Sequence, residues 1–388
     1  MAGRPGKKGS GAALGARQRR RKTRDAGAAS QALPAAVSSG VSCYVWPRGP
    51  GGCEKTINLA LQGGGAHGAF TWGVLDKILE DGRIAIDGIS ATSAGAMNAA
   101  LVAQGLAAGG PDGAREQLHS FWQKISESAT QTMPMAHWLE SMAWGWNRDW
   151  AMGHLLFDLA SRVLSPYQFN PIGFNPLRQL LDETLDIEHI RGCETVKLFI
   201  SATNVETGKI RVFDHKELTV DSVLASACLP HLFHAVEIDG QHYWDGGYMG
   251  NPALYPLIYD CSSRDIVIIR INPILRRGVP QTARDIVNRL NEITFNSSLM
   301  REMRAIAFVT RLIDEGKFND DTMKRMLVHM IEADDLMVDY GVASKLNPDW
   351  RFLCHLRDVG RARAARWIDA TIDRLGVETT IDIREEFL

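Results

Sequence analysis

A short apolar run, Thr56 to Leu61 (TINLAL), stops against Gly63-Gly64-Gly65-Ala66-His67-Gly68. Directly after it, Ala69 to Glu80 carries Phe70, Val74, Leu75, Ile78 and Leu79 at helical spacing. This order predicts a buried strand that enters a helix through a glycine turn. Backbone N–H groups in such a turn face any anion held at the helix N-terminus. Two chemistries use that geometry. Gly63, Gly65 and Gly68 fit the dinucleotide fingerprint, with Asp87 about 20 residues further on where a ribose-binding acid would stand. The alternative is an oxyanion loop, whose N–H groups stabilise charge developing on a carbonyl oxygen. The segment Gly49…Glu54-Lys55-Thr56 resembles a phosphate loop, but Glu54 stands where glycine is needed and the segment precedes its strand. It is discarded.

A second strand, Ile84 to Ser90 (IAIDGIS), runs into Ala91-Thr92-Ser93-Ala94-Gly95 and then a helix of small and apolar residues, Ala96 to Leu106. Strand, sharp turn bearing serine, and helix make a nucleophile elbow. The helix N-terminus beneath Ser93 favours negative charge there. The motif departs from G-x-S-x-G in having Ala91 first, the smallest available change. Most serines in such a place merely cap a helix. The glycine turn about 30 residues earlier raises the catalytic reading, because it suits a neighbouring strand of one sheet, and a dinucleotide site needs no serine at its second turn.

A third motif completes a chemical set. Val236 to Gly240 and Gln241 to Trp244 read as a hairpin around Asp239-Gly240, and it ends in Asp245-Gly246-Gly247 with Asn251-Pro252 shortly after. Asp-Gly-Gly alone is commonly only a turn. A serine at its free pKa needs a base, and a carboxylate held against the hydroxyl in a partly dry pocket serves as one.

The three motifs, with the link Ala225-Ser226-Ala227-Cys228-Leu229-Pro230, occur in an order that resembles the patatin-like phospholipase family, in its bacterial form, over roughly residues 54–258. The resemblance implies an α/β fold: a three-layer α/β/α patatin-like sheet with a Ser–Asp dyad, followed by a C-terminal helical extension. It implies Ser93 as nucleophile, Asp245 as base, and the N–H groups of Gly63, Gly64 and Gly65 as oxyanion hole. His67, Gly68, Gly95, Gly246 and Gly247 support the motifs. His67 stands where many relatives carry Lys or Arg, which puts a fixed charge at that position in doubt. No metal or organic cofactor is called for.

Composition bounds the rest. Residues 1–50 hold ten Lys or Arg against the single acid Asp25, so the remaining chain carries a net charge of −11 within a total of −2. An acidic body argues against a nucleic-acid partner. The tail is rich in Gly, Ala, Ser, Arg and Lys and cannot bury enough to order itself. Arg19-Arg20-Arg21-Lys22 lacks the apolar stretch an export signal requires. We read a solvated tail able to touch anionic headgroups. No apolar run reaches transmembrane length. The expected location is the cytoplasm, with the periphery of a membrane or storage granule as the place of contact. Cys43, Cys53, Cys193, Cys228, Cys261 and Cys354 are scattered without metal-binding spacing and read as reduced structural thiols.

Three domains are expected: a tail (1–50), a catalytic region (54–275) and a helical region (276–388). Trp122, Trp138, Trp144, Trp146 and Trp150 fall within 121–175, an insertion read as an apolar cap or acyl channel. His231, His234 and His242 read as surface or packing residues. His67 as a triad base is a minor alternative. Residues 265–271 (DIVIIRI) form a strand, and Arg284 to Leu388 reads mostly as helices. The expected function is a lipid acyl hydrolase, a carboxylic ester hydrolase acting on a lipid or polyester acyl substrate at an apolar surface. The alternatives are an intracellular polyhydroxyalkanoate depolymerase using the same dyad, a non-catalytic lipid-binding protein, and a dinucleotide-binding protein.

Overall fold

The first strand sits near the middle of an eight-stranded sheet, and every other element is arranged around it. The computed structural model describes residues 43–47, 52–132, 164–318 and 323–388. The strands are β1 (Lys55–Leu61), β2 (Ile84–Ala91), β3 (Lys197–Asn204), β4 (Ile210–Asp214), β5 (Val236–Ile238), β6 (Gln241–Asp245), β7 (Asp265–Ile269) and β8 (Leu327–Ile331). The parallel part runs β3-β2-β1-β7-β8, and β4, β5 and β6 add antiparallel partners at the β3 end. The longer helices are α1 (Gly68–Asp81), α2 (Ala94–Thr132, kinked at Gly109 and Gly110), α3 (Pro176–Thr184), α4 (Val220–Ser226), α5 (Tyr255–Asp260), α6 (Ala283–Asp314) and α7 (Trp350–Thr371).

Buried parallel strands need apolar side chains on both faces. On β1, Ile57, Leu59 and Leu61 face a core shared with α1, α2 and α7, while Ala60 faces a second core shared with α5 and α6. The same alternation divides Val267 and Ile269 from Ile266 and Ile268 on β7. Helices therefore cover both faces, which makes the three-layer α/β/α arrangement. Helices α1 and α7 meet backbone to backbone: a Cβ on Gly73 would lie 1.9 Å from the Arg357 carbonyl oxygen, and one on Gly360 would lie 2.2 Å from that of Phe70. The hairpin turn also follows its sequence, with Asp239 and Gly240 both at positive φ (52° and 72°).

The C-terminal region is largely helical, but it also supplies β8, which pairs in parallel with β7. Leu327 to Ile331 (LVHMI) is one of the short apolar runs that periodicity cannot separate from helix. Cys43 and Cys193 are joined in a disulfide, with Cα atoms 5.6 Å apart across 150 residues of sequence, which corrects the expectation that all six thiols are reduced. Tyr44 and Trp46 pack against the core, and the Tyr44 carbonyl accepts from Thr195 Oγ1 at 2.7 Å. Trp122 is likewise core, its indole N–H donating to Asn98 Oδ1 at 3.0 Å. Trp138, Trp144, Trp146 and Trp150, on which the cap reading rests, lie outside the described residues, as does most of the basic tail. No helix among the described residues is long and apolar enough to cross a membrane.

Candidate active site

Strand β3 has three partners, and their register brings the serine and aspartate together. Phe199 and Ile200 pair with Ser90 and Ala91 of β2 and with Asp214 and Phe213 of β4, so β2 and β4 occupy opposite edges. Ala202 and Thr203 pair with Arg211 and Ile210 of β4 and with Asp245 and Trp244 of β6. Strand β6 therefore takes the edge that β2 has just left. Because β2 ends at Ala91, the elbow residue Ser93 and the strand-end residue Asp245 arrive at one place.

The elbow has the tight geometry expected of it. Ser93 has φ 55°, in the left-handed region that a serine occupies only under constraint. Three contacts hold it there. Its N–H donates to Ser226 Oγ at 2.8 Å, Thr92 Oγ1 donates to the Gly250 carbonyl at 2.7 Å, and Ser90 Oγ donates to the Ala253 carbonyl. The link after α4 thus straps both halves of the site, since the Cys228 carbonyl accepts the Asp245 N–H at 2.8 Å. Gly63 lets the first loop pass the elbow: a Cβ there would sit 2.6 Å from Ser93 Cβ. Gly68 opens α1 against Ala94, Gly95 packs on the Leu61 carbonyl, and Gly246 packs on that of Ser201.

Asp245 is 1% exposed. Its Oδ1 accepts the Gly247 N–H at 2.7 Å, and its Oδ2 has no partner of good hydrogen-bond geometry. Burial pushes the carboxyl up to about 7, opposed by the Gly247 N–H, the Ser93 hydroxyl and the charge of Lys345. The Ser93 hydroxyl is thus close enough to stabilise the ionised acid without completing a short bond.

The glycine loop departs from expectation at its first residue. The Gly63 N–H is taken by Asn251 Oδ1 at 2.6 Å, and the Gly63 carbonyl accepts from Asn272 Nδ2 at 2.8 Å. Two buried asparagines clamp this peptide, so its N–H is not free for an oxyanion. Among the described residues, nothing engages the N–H groups of Gly64 and Gly65. Gln62 adds to the clamp by accepting from the Ile271 and Asn272 N–H groups, each at 3.1 Å.

His67 is not placed to act as a base. Its Nε2 lies 2.8 Å from Ser344 Oγ and its ring is 2% exposed, packed by Tyr340 and Phe352. The three histidines that flank the aspartate strand lie apart from one another's partners: His234 stacks on Tyr167, His242 stands beside Glu237, and His231 is exposed. Asp87 sits in a bulge within β2, where its carboxylate accepts the Ser262 and Ser263 N–H groups at 2.5 and 2.9 Å. It is not at the strand end where a ribose would need it. Asn251, Asn272, Ser226 and Lys345 had no local pattern to announce them. Their only signal was nearness, for Asn251 and Ser226, to the Asp-Gly-Gly turn and its preceding link.

A family model described as patatin-like phospholipase matches residues 59–258. The chain belongs to the patatin-like phospholipase family. Ser93, Asp245, the glycine loop and Asn251 all fall inside the matched span, whereas Asn272 and Lys345 fall beyond it. Among solved structures, VipD from Legionella pneumophila is 14% identical with a TM-score of 0.33, over 78% of this chain and 67% of that one. A chain of the full-length SpcU–ExoU complex of the type III secretion system of Pseudomonas aeruginosa is 15% identical with a TM-score of 0.31, over 81% of this chain and 52% of that one. No curated protein sequence matches the chain. As a patatin-like protein it is a lipid acyl hydrolase, and so at the coarse level an ester hydrolase.

Proposed function

We propose that this patatin-like chain cleaves carboxylic esters of lipids through a Ser93–Asp245 dyad. The observation that carries the reading is the shared β3 edge, which sets the elbow hydroxyl beside a buried carboxylate whose Oδ2 is unpartnered. Asp245 Oδ2 accepts the Ser93 proton as Oγ bonds to the ester carbonyl carbon. Negative charge passes to the carbonyl oxygen, where the Gly64 and Gly65 N–H groups stabilise it. The Ala94 N–H, at the first turn of α2 and without an intrahelical partner, assists. The intermediate collapses, Asp245 returns the proton to the departing alkoxide, and the acyl group stays on Ser93. A water molecule then gives a proton to Asp245 and attacks the acyl-enzyme, which releases the acid and restores Ser93. A carboxyl with a pKa near 7 is well matched to this work at neutral pH. The exposed side chains of Tyr167, Phe169, Ile172 and Phe174 support an encounter with an acyl substrate at an apolar surface, including peripheral contact with a membrane.

The test is hydrolysis of p-nitrophenyl esters from short to long acyl chains by the wild type, Ser93→Ala and Asp245→Asn, each shown to be folded. Loss of at least 10³-fold in kcat/KM in both variants, in line with the collapse seen when one member of a catalytic unit is removed, is expected. A preference for long chains supports lipid substrates, and a preference for the shortest points to polyester units. Activity that survives Ser93→Ala overturns the mechanism.

A further inference from the structure

Position 67 of the glycine loop supplies neither a base nor a charge. Ser344 Oγ donates its one proton to the Gly341 carbonyl at 2.6 Å, so toward His67 it can only accept. That fixes His67 as the neutral Nε2–H tautomer, with Nδ1 buried and unpartnered among the described residues. Burial, followed by the nearby charge of Lys345, pushes the imidazole down to about 3. His67 therefore stays neutral across the working pH range.

A cation reaches the site from elsewhere. Lys345, the residue after Ser344, lies beyond the family-matched span and far from the glycine loop in sequence. Its backbone passes so close to the loop that a Cβ on Gly65 would lie 2.2 Å from the Lys345 carbonyl oxygen. Its Nζ donates to Asn272 Oδ1 at 2.7 Å, and Asn272 Nδ2 donates to the Gly63 carbonyl at 2.8 Å. The same Nζ lies 5.6 Å from the centre of the Phe295 ring, which packs on Gly247 beside Asp245. The ammonium thus joins the clamp on the glycine loop to the turn that carries the aspartate.

The charges around it leave Lys345 as the cation that Asp245 feels. Glu292 faces Lys345 but is held by Arg276 at 2.7 Å and Arg289 at 3.0 Å. Cys228 and Tyr248 face Asp245 as protonated groups, both pushed up to about 12 chiefly by burial. His67 is neutral.

We propose that Lys345 is a positioning residue of the hydrolytic site, fixing the Gly63 peptide through Asn272 and biasing Asp245 toward its ionised form in place of a charge at position 67. The inference rests on the dyad reading and adds a pH signature to it. Burial lowers Lys345 to about 8, while Asp245 titrates near 7. The active form has Asp245 ionised and Lys345 protonated, so kcat/KM is bell-shaped, and the two apparent values belong to the coupled pair.

The test compares kcat/KM from pH 5 to 9.5 for the wild type, Lys345→Met and Lys345→Arg, on the best p-nitrophenyl ester, with Ser93→Ala and Asp245→Asn alongside. Lys345→Met should lose at least tenfold at pH 7.5, shift its acid limb upward and lack the alkaline limb. Lys345→Arg should restore the acid limb and carry activity past the wild-type alkaline limb, because a guanidinium does not titrate there. A folded Lys345→Met with both limbs unmoved overturns the proposal. If Lys345→Met does not fold, Lys345→Arg decides alone: an alkaline limb still near 8 overturns it. Activity retained by Ser93→Ala or Asp245→Asn instead overturns the dyad, and this inference with it.

Discussion

Asp245→Asn should abolish hydrolysis and at the same time stabilise the fold, by an amount set by pH. The aspartate ionises near 3.8 ordinarily and near 7 in the folded protein, mainly because it is buried. Between those values the folded state holds a proton that the unfolded state has released. Stability therefore falls as pH rises from about 4 to about 7, and levels off above. At roughly 1.4 kcal/mol for each tenfold change in proton affinity, the loss is about 4 kcal/mol. Asparagine keeps the oxygen that accepts the Gly247 N–H and removes the charge. Its amide nitrogen replaces Oδ2, and Ser93 Oγ is the acceptor nearby. If that bond does not form, a buried unpaired donor costs about 1–3 kcal/mol. The variant should therefore exceed the wild type by about 1–4 kcal/mol at pH 7.5, and near pH 4.5 lie between about 1 kcal/mol above it and about 2 kcal/mol below it. Urea denaturation of both proteins at pH 4.5, 6 and 7.5 measures this, below the Lys345 titration near 8. Glu302, also raised to about 7, titrates alike in both proteins and cancels in the difference. A stability difference that stays constant across this range would refute the reasoning, because no buried ionisation would then separate the two chains.

Two further outcomes follow from contacts. Gly63→Ala places a methyl 2.6 Å from Ser93 Cβ and 2.9 Å from the Thr92 carbonyl oxygen. We expect a cost of about 1–3 kcal/mol in denaturant and about 10²-fold in kcat/KM from displacement of the elbow, and unaltered kinetics would contradict it. Thiol titration of the protein unfolded without reductant should find four free cysteines of the six. Reduction should lower the denaturation midpoint, by at most about 5 kcal/mol of loop entropy, and six reactive thiols before reduction would show that Cys43 and Cys193 are unpaired.

What the chain declared in advance was whatever depends on neighbours in sequence. The strands at 55–61, 84–91 and 265–269 are short and mainly apolar because both their faces are covered. The turn at Asp239-Gly240 and the elbow at Ser93 need residue types that stand next to one another. These features sufficed for the α/β/α sheet and for an ordered serine, aspartate and glycine loop. What stayed hidden depends on partners remote in sequence. The run LVHMI gave no sign that β7 waited for it, and Cys43 gave none that Cys193 lay opposite.

Gly63 shows the difference within a single residue. Its small size was legible as part of a glycine turn, and the structure requires that size at the elbow. The engagement of its amide by Asn251, 188 residues away, was not legible, and of the three consecutive glycines it leaves Gly64 and Gly65 with N–H groups that nothing engages among the described residues. Lys345 extends the same point to charge. A substitution at position 67 reads in sequence as a lost cation, whereas in the folded chain an ammonium lies across the loop, bonded through Asn272 to the Gly63 carbonyl. Burial explains why so few groups suffice. In a site this dry, the Gly247 N–H, the Ser93 hydroxyl and one ammonium move the Asp245 equilibrium that solvent would otherwise dominate, and small changes in any of them are read directly in the pH at which Asp245 ionises.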